Sequence, residues 1–127
     1  MRVLLDTHVF LWAITGDRRL SRVHREIYSS AANDLHLSVA SVWEMLIKSA
    51  LGKLPLPTPA AAYIASQMEA NRITSLPIRL PHLFELETLP PVHRDPFDRM
   101  VVAQARSEGI PIVSSDTAFR KYDVKVL

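Results

Sequence analysis

Four acidic residues lie far apart in the sequence, yet the elements around them are expected to bring them together: Asp6, Glu44, Asp98 and Asp116. Asp6 directly follows the apolar run Val3–Leu5, and Asp116 follows the last strong apolar run. Carboxylates a few ångströms apart raise each other's pKa, and a hard divalent cation removes that repulsion. Because an oxygen-only ligand set without Cys or His suits Mg²⁺ or Mn²⁺, the four acids predict a metal site that acts on phosphate esters.

Each acid also has an ordinary structural explanation as a helix cap. Asp6 and Asp116 could cap the helices that follow them. Glu44 could close a capping box with Ser41 or pair with Lys48 four residues later. Capping explains each acid alone, but it does not explain all four at one edge of one sheet. We therefore predict that all four bind the metal ion and are catalytic, and that one of them could serve as general base.

The segment from Asp95 to Asp98 contains two competing acids at the start of a predicted helix. Asp95 is expected at the N-cap and Pro96 at the first helical position. One cap is enough for one helix, and Asp98 heads the apolar face that continues with Val101 and Val102. We therefore expect Asp98 to be the metal ligand and Asp95 to support it.

Other polar residues near the four acids are expected to assist them. Thr7 and Ser115 are the predicted supporting hydroxyls. Ser114 and Ser115 could assist a phosphate or a metal-bound water, or they could serve only in a turn. Phosphate contacts are predicted for Arg94 and Arg99, which flank the Asp95–Asp98 segment, and for Lys48, which could instead be structural. The five histidines show no paired ligand spacing, and His93 is the one expected nearest the substrate. A second basic group is interpreted as a solvated helix face: Arg18, Arg19, Arg22 and Arg25.

Strands and helices alternate along the chain, which predicts an α/β fold with a parallel sheet covered on both faces. Strands are predicted over residues 2–5, 35–39, 73–76, 110–114 and 124–126. Helices are predicted over residues 7–14, 20–32, 41–51, 59–71, 81–88, 95–109 and 116–122. In such sheets ligands bind at the carboxyl ends of the strands, where Asp6 and Asp116 are expected.

Composition narrows the class of protein. The 127 residues are predicted to form a single domain over 1–127, with 48% hydrophobic and 22% charged residues. The absence of cysteine excludes disulfides and thiol catalysis, and the 3 glycines argue against a glycine-rich phosphate loop. A net charge of +2 fits a polyanionic partner. No transmembrane segment or signal peptide is evident, and we expect a cytoplasmic protein with no membrane partner.

Four short motifs occur in the order and spacing of PIN domains: Leu4–His8, Ser38–Glu44, His93–Arg99 and Ser114–Asp116. They resemble most closely the VapC toxin branch of type II toxin–antitoxin systems, and the resemblance covers essentially the whole chain. It implies a three-layer α/β/α fold with a parallel sheet of about five strands. It also implies an endoribonuclease dependent on Mg²⁺ or Mn²⁺, with RNA as the substrate, from a bacterium or an archaeon.

The resemblance carries further expectations about site and partners. The acidic positions of the family fall on Asp6, Glu44, Asp98 and Asp116, and none is missing. A homodimer and a small inhibitory antitoxin protein are implied. Exposed apolar side chains on the first helices could form a groove for an amphipathic antitoxin helix, with Phe10 and Trp12 as candidates, while core packing is the more common role of such aromatic residues.

Two other functions are compatible with the same residue types. A haloacid-dehalogenase-like phosphatase would use Asp6 as nucleophile, but that family expects a second Asp where this chain has His8. A non-catalytic PIN-like binding module could instead recognise a basic peptide through the acidic cluster. Metal-dependent RNA cleavage that is lost in Asp6→Asn distinguishes the nuclease from both.

Overall fold

The computed structural model describes every residue from 1 to 127. Four strands alternate with six α-helices, and a short 3₁₀ helix follows at Thr117–Lys121. The strands are β1 (Arg2–Leu5), β2 (Asp34–Ser38), β3 (Thr74–Leu76) and β4 (Ile112–Val113). The helices are α1 (Thr7–Thr15), α2 (Arg22–Ser29), α3 (Val39–Ala50), α4 (Ala60–Ala70), α5 (Leu80–Leu86) and α6 (Pro96–Glu108).

The sheet has four parallel strands in the order β3-β2-β1-β4. The predicted α/β class and parallel sheet are confirmed, but the count of about five strands is too high. The predicted strand over residues 124–126 contributes one isolated bridge, between Val126 and Ile112. The bridge consists of two hydrogen bonds, from the Ile112 N–H to the Lys125 carbonyl at 2.9 Å and from the Leu127 N–H to the Ile112 carbonyl at 2.8 Å.

Two separate hydrophobic cores lie on the two faces of the sheet, which gives the three predicted layers. Alternation along β1 assigns Val3 and Leu5 to one core and Leu4 to the other. The first core is closed by α1, α3 and α4, and the second mainly by α6. All three β1 side chains are fully buried, so the strand that carries Asp6 is held from both sides.

The junction between β2 and α3 has no loop, and it differs from the prediction. Helix α3 begins at Val39, and Ser38 is both the last strand residue and the N-cap. The Ser38 hydroxyl accepts the Ala40 N–H at 3.0 Å. Ser41, predicted as the cap, is buried inside the helix, and its hydroxyl has no hydrogen-bond partner. The predicted capping box between Ser41 and Glu44 is therefore wrong.

Helix α6 begins and ends as predicted. Asp95 is the N-cap, and its carboxylate accepts the backbone N–H groups of Phe97 at 2.7 Å and Asp98 at 3.3 Å. The helix ends at Gly109, which adopts a left-handed conformation with φ 67°. Helix α2 is shorter than predicted, because the chain turns after Ser29. No helix of the fold has the length and apolar character needed to cross a membrane.

Candidate active site

Asp6 lies at the carboxyl end of β1 and is only 5% exposed. It occupies the N-cap position of α1, but its side chain makes no capping hydrogen bond. The Ser114 hydroxyl donates to its Oδ2 at 2.8 Å. Burial raises the pKa of Asp6, and the Ser114 hydrogen bond only partly offsets this effect. Helix capping therefore does not explain Asp6.

Glu44 is 4% exposed and projects from α3 toward the start of α1. The Thr7 hydroxyl donates to Glu44 Oε1 at 2.9 Å. The Lys48 ammonium binds Oε2 at 2.7 Å, with 43% of the Lys48 side chain exposed. Lys48 thus balances the charge of a buried carboxylate from the solvent side, as a partly buried ion pair requires.

Asp98 is half-buried in the first turn of α6 and accepts no side-chain hydrogen bond. The pKa of Asp98 is raised to about 7, mainly by burial and then by the charges of Asp95, Asp6 and Glu44, while His93 opposes them. The charges of Asp6, which directly follows β1, and of Glu44 in α3 therefore act on the Asp98 carboxylate. It is the carboxylate least compensated by the protein.

Asp116 caps the 3₁₀ helix by accepting the Ala118 N–H at 2.9 Å, as its structural explanation required. Its other oxygen, Oδ2, lies 3.0 Å from His93 Nε2. Partial burial tends to raise the pKa of Asp116, but the hydrogen bonds from His93 and Ala118 outweigh burial and leave the pKa below its usual value. Asp116 also raises the pKa of Asp6, so it belongs to the same electrostatic cluster.

His93 connects Asp116 to the second core. Its backbone N–H donates to the Tyr122 hydroxyl at 2.9 Å, and Nδ1 lies 3.0 Å from the same oxygen. This pattern is satisfied when the Tyr122 hydroxyl donates to Nδ1 and Nε2–H donates to Asp116. The imidazole stacks on the Tyr122 ring with an interplanar angle of 3°. The sequence singled out His93 but gave no sign that Tyr122 would hold it.

The four predicted acids meet at the carboxyl edge of the sheet, but they do not form a closed ligand cage. No group of three or more His, Asp or Glu side chains is arranged to hold a metal ion. Asp6, Glu44 and Asp116 each have a hydroxyl, ammonium or imidazole partner within the protein. The donor chemistry nevertheless fits a hard cation, because the carboxylates supply only oxygen and Asp98 has no hydrogen-bond donor.

The supporting hydroxyls differ from the prediction in one position. Thr7 contacts Glu44 as described, but Ser114, rather than Ser115, contacts Asp6. Ser115 is exposed and lines a cleft beside Asp6 and Asp116. The position of Ser114 directly after β4 is the signal that could have distinguished the two serines, because β4 pairs with β1.

The predicted phosphate contacts have different surroundings. The Arg99 guanidinium donates to the carbonyl oxygens of Pro90 at 3.0 Å and Leu86 at 3.5 Å. It is therefore engaged in holding the loop before α6. Arg94 is exposed and makes no side-chain hydrogen bond. Lys48 is bound to Glu44 and is also within the field of Asp95 and Asp98.

The aromatic residues proposed for an antitoxin groove are also placed by the structure. Phe10 is fully buried in the first core, so of its two expected roles core packing is confirmed and the exposed groove is wrong. In helix α1 it lies on the face that packs against β1, where it contributes to folding. Trp12 is partly exposed and borders two clefts next to the acids.

The PIN domain family matches residues 3–125. One curated relative, Ribonuclease VapC16 from Mycobacterium tuberculosis, is 40% identical over 58 residues, which are 46% of this chain. The match spans only 40% of that relative's own length.

Solved structures with low sequence identity share the fold. A chain of the crystal structure of VapBC2 from Rickettsia felis bound to a DNA fragment from their promoter matches with a TM-score of 0.76 at 13% identity, covering 100% of this chain and 98% of that one. A chain of VapBC-1 from nontypeable Haemophilus influenzae matches with a TM-score of 0.67 at 15% identity, covering 100% and 97%. FitAcB from Neisseria gonorrhoeae gives 0.62 at 20% identity, covering 98% and 96%. With a family match over nearly its full length and the matching fold, the chain belongs to the PIN domain family.

Proposed function

We propose that this protein is an endoribonuclease dependent on Mg²⁺ or Mn²⁺ that acts as the toxin of a toxin–antitoxin pair. The observation that supports the proposal is that Asp6 and Glu44 act on the uncompensated carboxylate of Asp98, and that Asp116 acts on Asp6, although the four acids come from separate elements. A protein that used these acids only as helix caps would have no reason to bury Asp6 and Glu44 at the same sheet edge.

The ion would be held by carboxylate oxygens of Asp6, Glu44, Asp98 and Asp116, and the sequence resemblance assigns it to the same positions. When bound, such an ion activates water and stabilises negative charge on a phosphodiester. Asp95 fixes the start of α6 and thereby the direction of Asp98.

The remaining side chains position the acids and contact the substrate. Thr7 and Ser114 orient Glu44 and Asp6 through single hydrogen bonds. The Lys48 ammonium has three N–H donors and uses one on Glu44, so the others are available to a phosphate oxygen. Arg94, exposed beside His93, is the second proposed phosphate contact.

RNA cleavage by the purified protein tests the enzymatic part of the proposal. We expect cleavage that stops with EDTA, returns with Mn²⁺ and disappears in Asp6→Asn. Robust cleavage by Asp6→Asn would contradict the assignment of the acids. Wild-type protein that binds a basic peptide through the acids but cleaves no RNA would favour the non-catalytic binding module.

The toxin part of the proposal rests on the resemblance to VapC and on the fold shared with chains of toxin–antitoxin complexes. We expect expression in the bacterial cytoplasm to arrest growth and a small protein from the neighbouring gene to relieve the arrest. A partner arginine could approach the acidic cluster. Full nuclease activity in the presence of saturating partner would contradict inhibition.

A homodimer is part of the same proposal, and an exposed apolar surface supports it. Helices α3 and α5 expose Trp43 at 59% and Phe84 at 63%, together with Leu80 and Leu83. An apolar cavity of about 170 Å³ connects α3, α5 and α6 beneath Trp43. Burial of this surface against a second copy would remove it from water. Light scattering should give a dimer mass for the wild type and a monomer mass for Phe84→Asp.

A further inference from the structure

Two clefts border the acidic cluster, and the same three side chains line both of them: His8, Trp12 and Arg19. The smaller cleft, about 360 Å³, is also lined by Asp6, Ser115 and Asp116. The larger cleft, about 530 Å³, includes residues from the opposite side of the site, among them Thr7, Glu44 and Lys48. The three side chains therefore form a wall between two openings that both lead to the acids.

Arg19 is fixed in this wall by Asp17. Its Nε and Nη2 donate to the two Asp17 oxygens at 3.1 and 2.8 Å, and its backbone N–H donates to Oδ1 at 2.9 Å. Its guanidinium carbon lies 5.2 Å from the centre of the Trp12 ring. The guanidinium is therefore a preoriented plane over an indole, although 70% of the Arg19 side chain is exposed. Arg19 is solvated, as the sequence interpretation expected, but it lies in the turn before α2 and not on a helix face.

The charge of this wall favours a base over a phosphate. Asp17 balances Arg19, and a phosphate next to the pair would be repelled by the Asp17 carboxylate. A flat guanidinium and an indole instead match the faces of nucleobases, which stack on aromatic rings and on Arg planes. His8 lies 5.7 Å from Trp12 with its ring tilted by 39°, so it borders the surface without covering it in parallel.

We propose that Trp12 and Arg19 form a stacking subsite for one unpaired nucleobase next to the phosphodiester that is cleaved. This inference rests on the proposed ribonuclease function and adds the way in which the single-stranded substrate is held. The cleft shared with Asp6 and Asp116 has a volume within the usual range for small ligands. Because every base has a π-face, the subsite accepts any base, and sequence choice must come from elsewhere.

Single-turnover cleavage of a single-stranded oligoribonucleotide tests the subsite. The protein concentration at half-maximal rate should rise about tenfold in Trp12→Ala and Arg19→Ala, with little change in the maximal rate. Arg18→Ala is the matched control, because it removes the same charge from the neighbouring position, which lines neither cleft. It should behave like the wild type.

A second substrate separates stacking from structural damage. In this oligoribonucleotide, each nucleotide flanking the cleavage site is made abasic in turn. At one of these positions the wild type should lose the same factor of about ten, and Trp12→Ala and Arg19→Ala should then cause no further loss. Trp12 also contacts the first core, so Arg19→Ala provides the test that does not depend on core packing.

Several outcomes would overturn the subsite. Equal losses in the variants on intact and abasic RNA would show a structural effect, and an equal loss in Arg18→Ala would show a general charge effect. Unchanged cleavage with lost inhibition by the antitoxin would assign the wall to that protein instead. Failure of the wild type to cleave any RNA would refute the ribonuclease proposal itself, and the subsite with it.

Discussion

The two edges of the sheet differ in the way they combine cavities and charges. The largest cleft, about 610 Å³, lies at the amino edge and is lined by polar residues that include Arg2, Asp34, His36 and Arg72. The clefts at the carboxyl edge are smaller, at about 530 and 360 Å³. Only the carboxyl edge buries carboxylates, whereas Asp34 at the amino edge is exposed.

Under the proposed function, the largest cleft therefore does not lie at the functional edge of the sheet. At the amino edge, charges are exposed and weakly coupled, as in the Arg2–Glu108 pair at 3.5 Å. At the carboxyl edge, burial and mutual repulsion raise the pKa values of Asp6 and Asp98. Buried carboxylates with raised pKa values are a better indicator of a functional site than the volume of a cleft.

The largest expected effect is a difference in RNA cleavage between two variants, each of which replaces one carboxylate at one edge of the sheet. Asp98→Asn should lower RNA cleavage by at least about 100-fold, because it removes a proposed metal ligand without changing shape. Asp34→Asn is the matched control and should retain wild-type cleavage. Initial rates on one RNA measure both, and comparable losses in the two variants would remove the functional distinction between the edges.

Metal binding should be confined to the carboxyl edge. Mn²⁺ at about 100 times its Kd should stabilise the wild type by about 2.7 kcal/mol, because an ion that binds only the folded state adds to its stability. The shift should be largely lost in Asp98→Asn and retained in Asp34→Asn, as measured by thermal unfolding with and without the ion. A full shift in Asp98→Asn would mean that the ion binds elsewhere.

A smaller effect is expected from the two histidines that lie at opposite edges. His93→Gln should lower cleavage about tenfold, because His93 holds Asp116 and such supporting hydrogen bonds tune metal ligands. The loss should diminish at high Mn²⁺ concentration, which a folding defect would not allow. His36→Gln, at the amino edge, should cleave RNA like the wild type. Equal activity of His93→Gln and wild type at limiting Mn²⁺ would exclude a role for His93.

The smallest effect is a pH dependence of stability with opposite signs at the two edges. Asp98 has a pKa of about 7, raised mainly by burial. Between its ordinary pKa and 7 the folded state binds more protons, so stability falls as pH rises. Burial and Arg2 lower the pKa of His36, so its contribution to stability falls as pH drops through the ordinary range of histidine.

Thermal unfolding without divalent ions, followed from pH 4 to 8, can separate the two contributions. Asp98→Asn should reduce the decrease in stability toward neutral pH, and the raised pKa of Asp6 should account for the part that remains. His36→Gln should remove the decrease on the acidic side. Identical pH profiles for Asp98→Asn and the wild type would show that Asp98 titrates normally in the folded protein.

Much of the fold was predictable because local signals and tertiary contacts agree. Strand β1 and the position of Asp6 followed from one short apolar run, which is buried on both faces. The start of α6 followed from Asp95 and Pro96, whose chemistry fits only a helix beginning.

The wrong predictions concern residues whose position depends on tertiary contacts or on the path of a turn. Ser38 and Ser41 can both cap a helix, and the pairing of Ser38 with Leu76 in the sheet selects Ser38. The position of Arg19 depends on the turn at Gly16, which has φ 65° and brings the chain back beside Trp12. Neither contact can be obtained from spacing along the sequence.

Two strand-to-helix junctions next to the site have no loop, and this restricts where the chain can tolerate insertions. Asp6 alone separates β1 from α1, and α3 begins directly after Ser38. One residue inserted between Ser38 and Glu44 would rotate Glu44 by about 100° around the helix axis and direct it away from Thr7. Insertions should therefore be tolerated in the connection between α3 and α4, but not at these two junctions. The placement of the acids therefore depends on the number of residues in these junctions as well as on the residue types.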